Sequence, residues 1–335
     1  VATLADVLSA QWLKDTTLLG VDLTLDDGTP YPDELYDHSI RQAIAWLEHE
    51  IGIAIDPISV VDERHDAYQP NQDGWWPFDL DVRPLMDVGD ISAFGIRFGN
   101  YEPVTVPLTW LVPVSIETAR VHLIPSHDKL GSYQFVSGIP IILGDVLQPH
   151  RFVPGYFHFS YTAGLGKGIR SGTGTILDGQ STATIALSPA EADTRYNLRV
   201  EWEAGQPSGS RIRITSRGTG SFDVKSFTAA QTAAAPASGQ DATFTWYLDR
   251  LPADIKAAIG YKAALLPLDV AGDLIAGAGI ASKSTSMDGL SQSVNTTSSS
   301  TNSGFGARVL QFEREMKALL PAIRARYTGP MIAAV

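Results

Sequence analysis

The last quarter of the chain, Leu251 to Leu320, constrains the fold most. Two helical patterns stand there, separated by some thirty small, polar and glycine residues. The first opens at Pro252, a residue whose fixed φ suits a first helical turn, and Asp254 opposes the positive end of the helix dipole. Ile255, Ala258, Ile259 and Leu265 or Leu266 then recur at helical spacing, and Pro267 is expected to stop the run. A second helix is expected after Ser303, with Val309, Leu310, Phe312, Met316, Leu319, Leu320 and Ile323 on one broad face and a kink or end at Pro321. Between them, residues 282–304 hold almost nothing that fills a core, so composition predicts a linker, or an arm that orders against a partner. Such a layout suits threading and assembly rather than chemistry.

Earlier in the chain, Thr3 and Asp6 have capping-box spacing ahead of Val7, Leu8, Trp12 and Leu13, which predicts a short amphipathic helix. A stronger pattern follows Pro32. Asp33 and Glu34 sit at the positive dipole end, Tyr36, Ile40, Ala43 or Ile44, Leu47 and Ile51 form one face, and Gly52 is a stop. From about 75 to 163 the pattern turns to short apolar and alternating runs (ISAFGIRFG, VTVPLTWLVP, RVHLIP, YQFV, GIPIIL, YFHFSYTAG), which are strand signals. Residues 167–248 then alternate with period two, as in Leu198, Val200 and Trp202 against Arg199, Glu201 and Glu203, and show no helical pattern. A small antiparallel β-sandwich is the economical reading of that stretch.

Residues Asp33 to Pro57 and the C-terminal quarter together resemble the head-to-tail connector, or adaptor, proteins of tailed bacteriophages. The resemblance is carried by Trp46-Leu47-Glu48 inside the first long helix, by Leu251, Pro252, Asp254, Ile255 and Lys256, by Gly277 to Ser282, and by Asp288 to Ser293. In outline it covers residues 30–160 and 249–328, and the last block is the specific part. It implies an α+β chain with a connector body (1–163 and 249–281), an inserted β-sandwich (167–248), a flexible arm (282–304) and a C-terminal portal-docking helix and tail (305–335). It also implies Phe305, Val309, Leu310, Phe312, Met316, Leu319, Leu320 and Ile323 as portal-interface residues. The expected partners are the portal protein, a tail or head-completion protein, further copies of the chain in a ring of twelve, and genomic DNA passing through without specific binding. The expected place is the neck of the virion, after synthesis in the bacterial cytoplasm.

Charge is distributed in keeping with that. Residues 1–160 carry 23 acids against 8 bases, 161–250 carry 8 against 9, and 251–335 carry 6 against 8. No concentrated basic stripe is available to grip phosphates, and an acidic lining would keep a passing duplex from sticking. Acidic residues also keep a crowded assembly soluble. No run reaches the about 18 apolar residues of a membrane span, the first residues lack the basic region and apolar core of a signal peptide, so use without membrane passage is expected, and no cysteine is present for a disulfide or a thiolate metal site.

Candidates for chemistry are weak. Asp62, Glu63, His65 and Asp66 have the residue types of a metal or acid–base site without a spacing that puts them on one face, and read as a solvated loop. His122 and His127 do not converge in extended chain, and His158 alternates with aromatics as a strand residue. Gly164, Gly166, Lys167 and Gly168 suggest a phosphate loop, but no Ser or Thr follows the lysine. A Gly-x-Ser-x-Gly elbow and a strand-borne dinucleotide fingerprint are both missing. The expectation is a structural protein without cofactor or metal. A ligand- or glycan-binding protein acting through 167–248 is the alternative, with a tail or baseplate component and an enzyme behind it.

Overall fold

The computed structural model describes residues 3–21, 23–25, 28–67, 76–97, 103–124, 153–176, 182–186, 197–204, 211–218, 221–227, 242–276, 282–287, 290–295 and 305–328. Helices and antiparallel sheets together make the chain α+β. It divides into two compact units, Val1–Val21 with Gly168–Lys256, and Asp22–Lys167 with Ala257–Val335.

The first unit begins with two short helices, α1 (Leu4–Val7) and α2 (Ala10–Asp15), where one was expected. The Asp6 carboxylate accepts from the Thr3 N–H at 2.7 Å and its hydroxyl at 2.9 Å. Ser9 interrupts the run and caps the second helix by accepting from Trp12 N. The unit's strands are β8 (Arg170–Ile176), β9 (Thr182–Ala186), β10 (Asn197–Ala204), β11 (Arg211–Gly218), β12 (Ser221–Phe227) and β13 (Ala242–Asp249). They form two three-stranded antiparallel sheets, ordered β10-β13-β8 and β11-β12-β9. Residues 1–21, which the sequence alone assigns to the body, pack with this unit. Arg199 of β10 explains part of that: its guanidinium donates to the carbonyls of Asp6 and Val7 and to Ser9 Oγ, satisfying the open C-terminal end of α1.

In the second unit, α3 (Asp33–Ile51) has the predicted boundaries: Pro32 precedes it, Gly52 closes it at φ 74°, and Tyr36, Ile40, Ala43, Ile44, Leu47 and Ile51 are buried. A four-stranded sheet follows, ordered β1-β7-β3-β4, from β1 (Ile58–Ala67), β3 (Ile91–Ile96), β4 (Val104–Thr105) and β7 (Val153–Ala163). A second sheet, β2-β6-β5, uses β2 (Trp76–Asp79), β5 (Leu111–Ser115) and β6 (Arg120–Leu123). Their shared core is aromatic, with Phe78, Phe94, Trp110, Tyr156, Phe157, Phe159 and Tyr161 all buried. The predicted strands at 133–136 and 138–143, along with Trp75, His127 and Ser303, lie outside the described residues.

Two expectations need correction and a third is narrowed. The helix α4 (Ala253–Ala276) does not stop at Pro267 but runs through it. Pro267 costs one backbone hydrogen bond, yet Pro267 itself, Leu268 and Ala271 are buried, and that burial carries the helix onward. Of the kink or end expected at Pro321 the end does not occur: α5 (Gly306–Thr328) continues past this exposed residue, and Ile323 and Tyr327 beyond it are buried. Finally, Asp62 to Asp66 is not a loop: it lies in β1, paired antiparallel with β7. Within the segment expected to be a flexible arm, β14 (Ser282–Met287) and β15 (Leu290–Asn295) form a two-stranded hairpin that joins no other sheet among the described residues.

Candidate functional site

The predicted interface residues are carried by α5, and only some of them share a surroundings. Val309, Phe312, Met316 and Ile323, together with Tyr327, form one buried stripe at helical spacing. Phe305, Leu310, Leu319 and Leu320 are half-buried, and the opposite face, from Ala307 through Gln311, Arg314, Ala318 and Ala322 to Ala325, is exposed. The apolar stripe that reads as a docking surface in the sequence is therefore covered within the chain.

What covers it is named by the contacts. Phe312 stacks on Tyr261 of α4 with centroids 5.1 Å apart and planes at 22°. The Tyr261 hydroxyl donates to the Glu315 carboxylate, which pushes the phenol up from its ordinary value; partial burial adds to this. Glu315 is held below the usual carboxylate range by that bond and by the Gln311 amide, 2.8 Å away. At the far end, Arg324 Nη2 donates to both the backbone carbonyl and Oε1 of Glu50 on α3, each at 2.7 Å. Lys262 of α4 lies over the Trp46 ring of α3 at 5.1 Å, so Trp46 of the connector-like motif joins helix to helix. The result is a cluster of α3, α4 and α5 closed by aromatic and polar contacts at both ends of α5.

Of the other motif residues, 277–281 and 288–289 lie outside the described residues, and those around the start of α4 are spent on structure. Leu251 and Ile255 are fully buried. Lys256 donates to Asp249, whose fully buried carboxylate also takes the Leu251 N–H and the Asn197 amide. A buried carboxylate so supplied ties the ends of β10 and β13 to the start of α4. Asp249 is not visible in the sequence as a special residue, because its partners lie 2, 7 and 52 positions away.

On β1, the strand alternation is broken by a bulge between Val60 and Glu63, and Asp62 sits there at φ 62°. This turns its carboxylate onto His158 of β7, with Nδ1 to Oδ1 at 2.5 Å, while His158 Nε2 faces the Gly155 carbonyl at 3.0 Å. The bond to His158, helped by Arg64, holds Asp62 below the usual carboxylate range against some desolvation. Its neighbour Glu63 points inward. Burial pushes that carboxyl up, but hydrogen bonds from His65, the Tyr161 hydroxyl and the Asp81 N–H outweigh it and leave Glu63 lowered. Each acid and imidazole of the group is thus used by a neighbour in the sheet. Among the described residues no group of three His, Asp or Glu side chains is placed to hold a metal ion.

The Gly164–Gly168 stretch is likewise occupied. Gly164, Leu165 and Gly166 donate their N–H groups to the carbonyls of Pro84, Ala54 and Ile55, and Lys167 Nζ pairs with the buried Asp90. At Gly164 a Cβ would lie 2.5 Å from the Asp56 carbonyl oxygen, so glycine is needed there for close packing. A phosphate-cradling role would need those N–H groups open. No helix among the described residues is long and apolar enough to cross a membrane. Neither the protein-family models nor the curated proteins give a match to this sequence.

Proposed function

We propose that the chain is a structural head-to-tail connector of a tailed bacteriophage. In this reading, identical copies, twelve by the symmetry of the resembled family, form a ring in the virion neck beneath the portal. A tail or head-completion protein attaches to the other side, and DNA passes through the centre without specific binding. The observation that carries the reading is the C-terminal layout. A long amphipathic helix, α5, with its apolar stripe at helical spacing, follows α4 after 29 residues that include the β14–β15 hairpin. That segment is long enough to let α5 reach a neighbouring protein while it stays tethered, and twelve tethered helices multiply a modest individual affinity through effective concentration.

The absence of a catalytic role in this proposal draws on how the candidate groups are employed. The Asp62, Glu63, His65 and His158 side chains hold β1 to β7, and the glycine-rich turn clamps residues 54, 55 and 84. A truncation before Phe305 would remove the cover of α3 and α4 as well as the docking helix, so a point variant separates the two. Leu319→Asp with Leu320→Asp, on the half-buried edge of α5, is expected to abolish co-sedimentation with purified portal rings while the melting temperature of the chain stays near that of the parent. Undiminished co-sedimentation would overturn the reading.

A further inference from the structure

The reading above asks α5 to present an apolar stripe to a partner, and the structure has that stripe covered. Val309, Phe312, Met316, Ile323 and Tyr327 are at most 7% exposed. The cover is the chain's own α3 and α4, fastened at one end by the Tyr261 ring and hydroxyl and at the other by the Glu50–Arg324 pair. We infer that α5 is stored in a latched position on α3 and α4 in the unassembled chain, and that portal docking transfers its apolar stripe from this internal groove to the portal. The inference rests on the connector reading and adds to it a regulated step.

Three physical arguments support a latch over a permanent core element. First, the Glu50–Arg324 fastening is of the exchangeable kind. Arg324 and Glu50 are 42% and 41% exposed, so water competes for the pair and it is worth little alone. Second, α5 follows α4 after 29 residues and belongs to no sheet among the described residues, so its release strains no short loop. Third, an uncovered stripe of five large apolar residues on a free subunit would be an aggregation surface, and internal storage removes that hazard until a partner is present. The latch has a thermodynamic consequence: the partner sees only the fraction of molecules in which α5 is released, so the apparent affinity is reduced by that fraction.

The chain has no cysteine, which makes the test clean. Glu50→Cys with Arg324→Cys is joined by a reducible bis-maleimide, and binding to purified portal rings is measured by co-sedimentation before and after reduction, beside the unmodified parent chain. The latch predicts no docking of the linked protein and full recovery on reduction. Linked protein that docks as well as the reduced form would overturn the latch and leave the connector reading in place, because α5 would then dock by its exposed face. Cross-links between chains rather than within one would also overturn it, since a neighbour's α5 would be filling the groove. A parent chain that ignores portal rings would remove the connector reading, and the latch with it. A second variant needs no label: Arg324→Ala raises the released fraction and should tighten docking by about two- to fivefold. Unchanged or weaker docking of that variant would count against the latch.

Discussion

Strand β7 and helix α5 are both rich in large apolar residues, yet the molecule commits them differently. In β7 both faces carry buried rings: Tyr156, Phe157, Phe159 and Tyr161 are at most 1% exposed, and even His158 is only 5% exposed. It has neighbours on both sides, β1 and β3, and its aromatic rings meet those of Phe78 and Phe94 at centroid separations of 4.7–4.9 Å. By contrast α5 buries one stripe, leaves the opposite face in water, and is closed by two exposed or half-exposed polar contacts. Removing β7 would dissolve the core; releasing α5 would uncover one groove. An element built into the centre of a sheet serves stability, whereas one laid on the outside by a single stripe can be exchanged for another partner.

The largest effect is expected in β7. Phe159→Ala removes a ring that touches Phe78, Phe94 and His65, and should destabilise the second unit by about 3–5 kcal/mol in urea unfolding. A loss below about 1 kcal/mol would mean that the core is less tightly committed than its burial suggests. A smaller effect, about 2 kcal/mol, is expected from Glu63→Gln, which takes a charged acceptor from His65, Tyr161 and Asp81.

The acids of β1 also set a pH dependence. Asp62 and Glu63 are lowered in the folded chain relative to the unfolded values near 4, so their contribution is fully present above about pH 4. It is lost as pH falls through the folded values. The urea midpoint should therefore drop as pH falls below about 4 in the parent and drop less in Glu63→Gln. Equal slopes in the two proteins would show that the Glu63 network is not what acid attacks.

The smallest stability effect belongs to α5. Arg324→Ala should cost less than about 1 kcal/mol, because both partners are substantially exposed. Backbone amides of α5 should nonetheless exchange with deuterium faster than in the parent while those of β7 do not change. Faster exchange in β7 as well would join the two regions into one cooperative unit and dissolve the contrast.

Much of this architecture is legible in the residues, and the illegible parts have physical causes. The span and buried face of α3 follow from Pro32, the 3.6-residue spacing and Gly52. The local rule failed at Pro267, because burial of Leu268 and Ala271 outweighs one missing backbone bond. The polar run at 62–66 hid a strand because its inward Glu63 is satisfied by groups 18 and 98 positions away, which no local pattern reports. In α5 the amphipathic stripe was visible, but the chain carries no local sign that Tyr261 and Glu50 would cover it first.

We propose that α5 carries this chain onto a portal ring, and the mass of the assembled particle reports on it without any label or variant. Mass photometry of the chain alone, of portal rings alone and of their mixture should show a portal species heavier by about a dozen chains. A mixture whose particles keep the masses of the separate components would contradict the account.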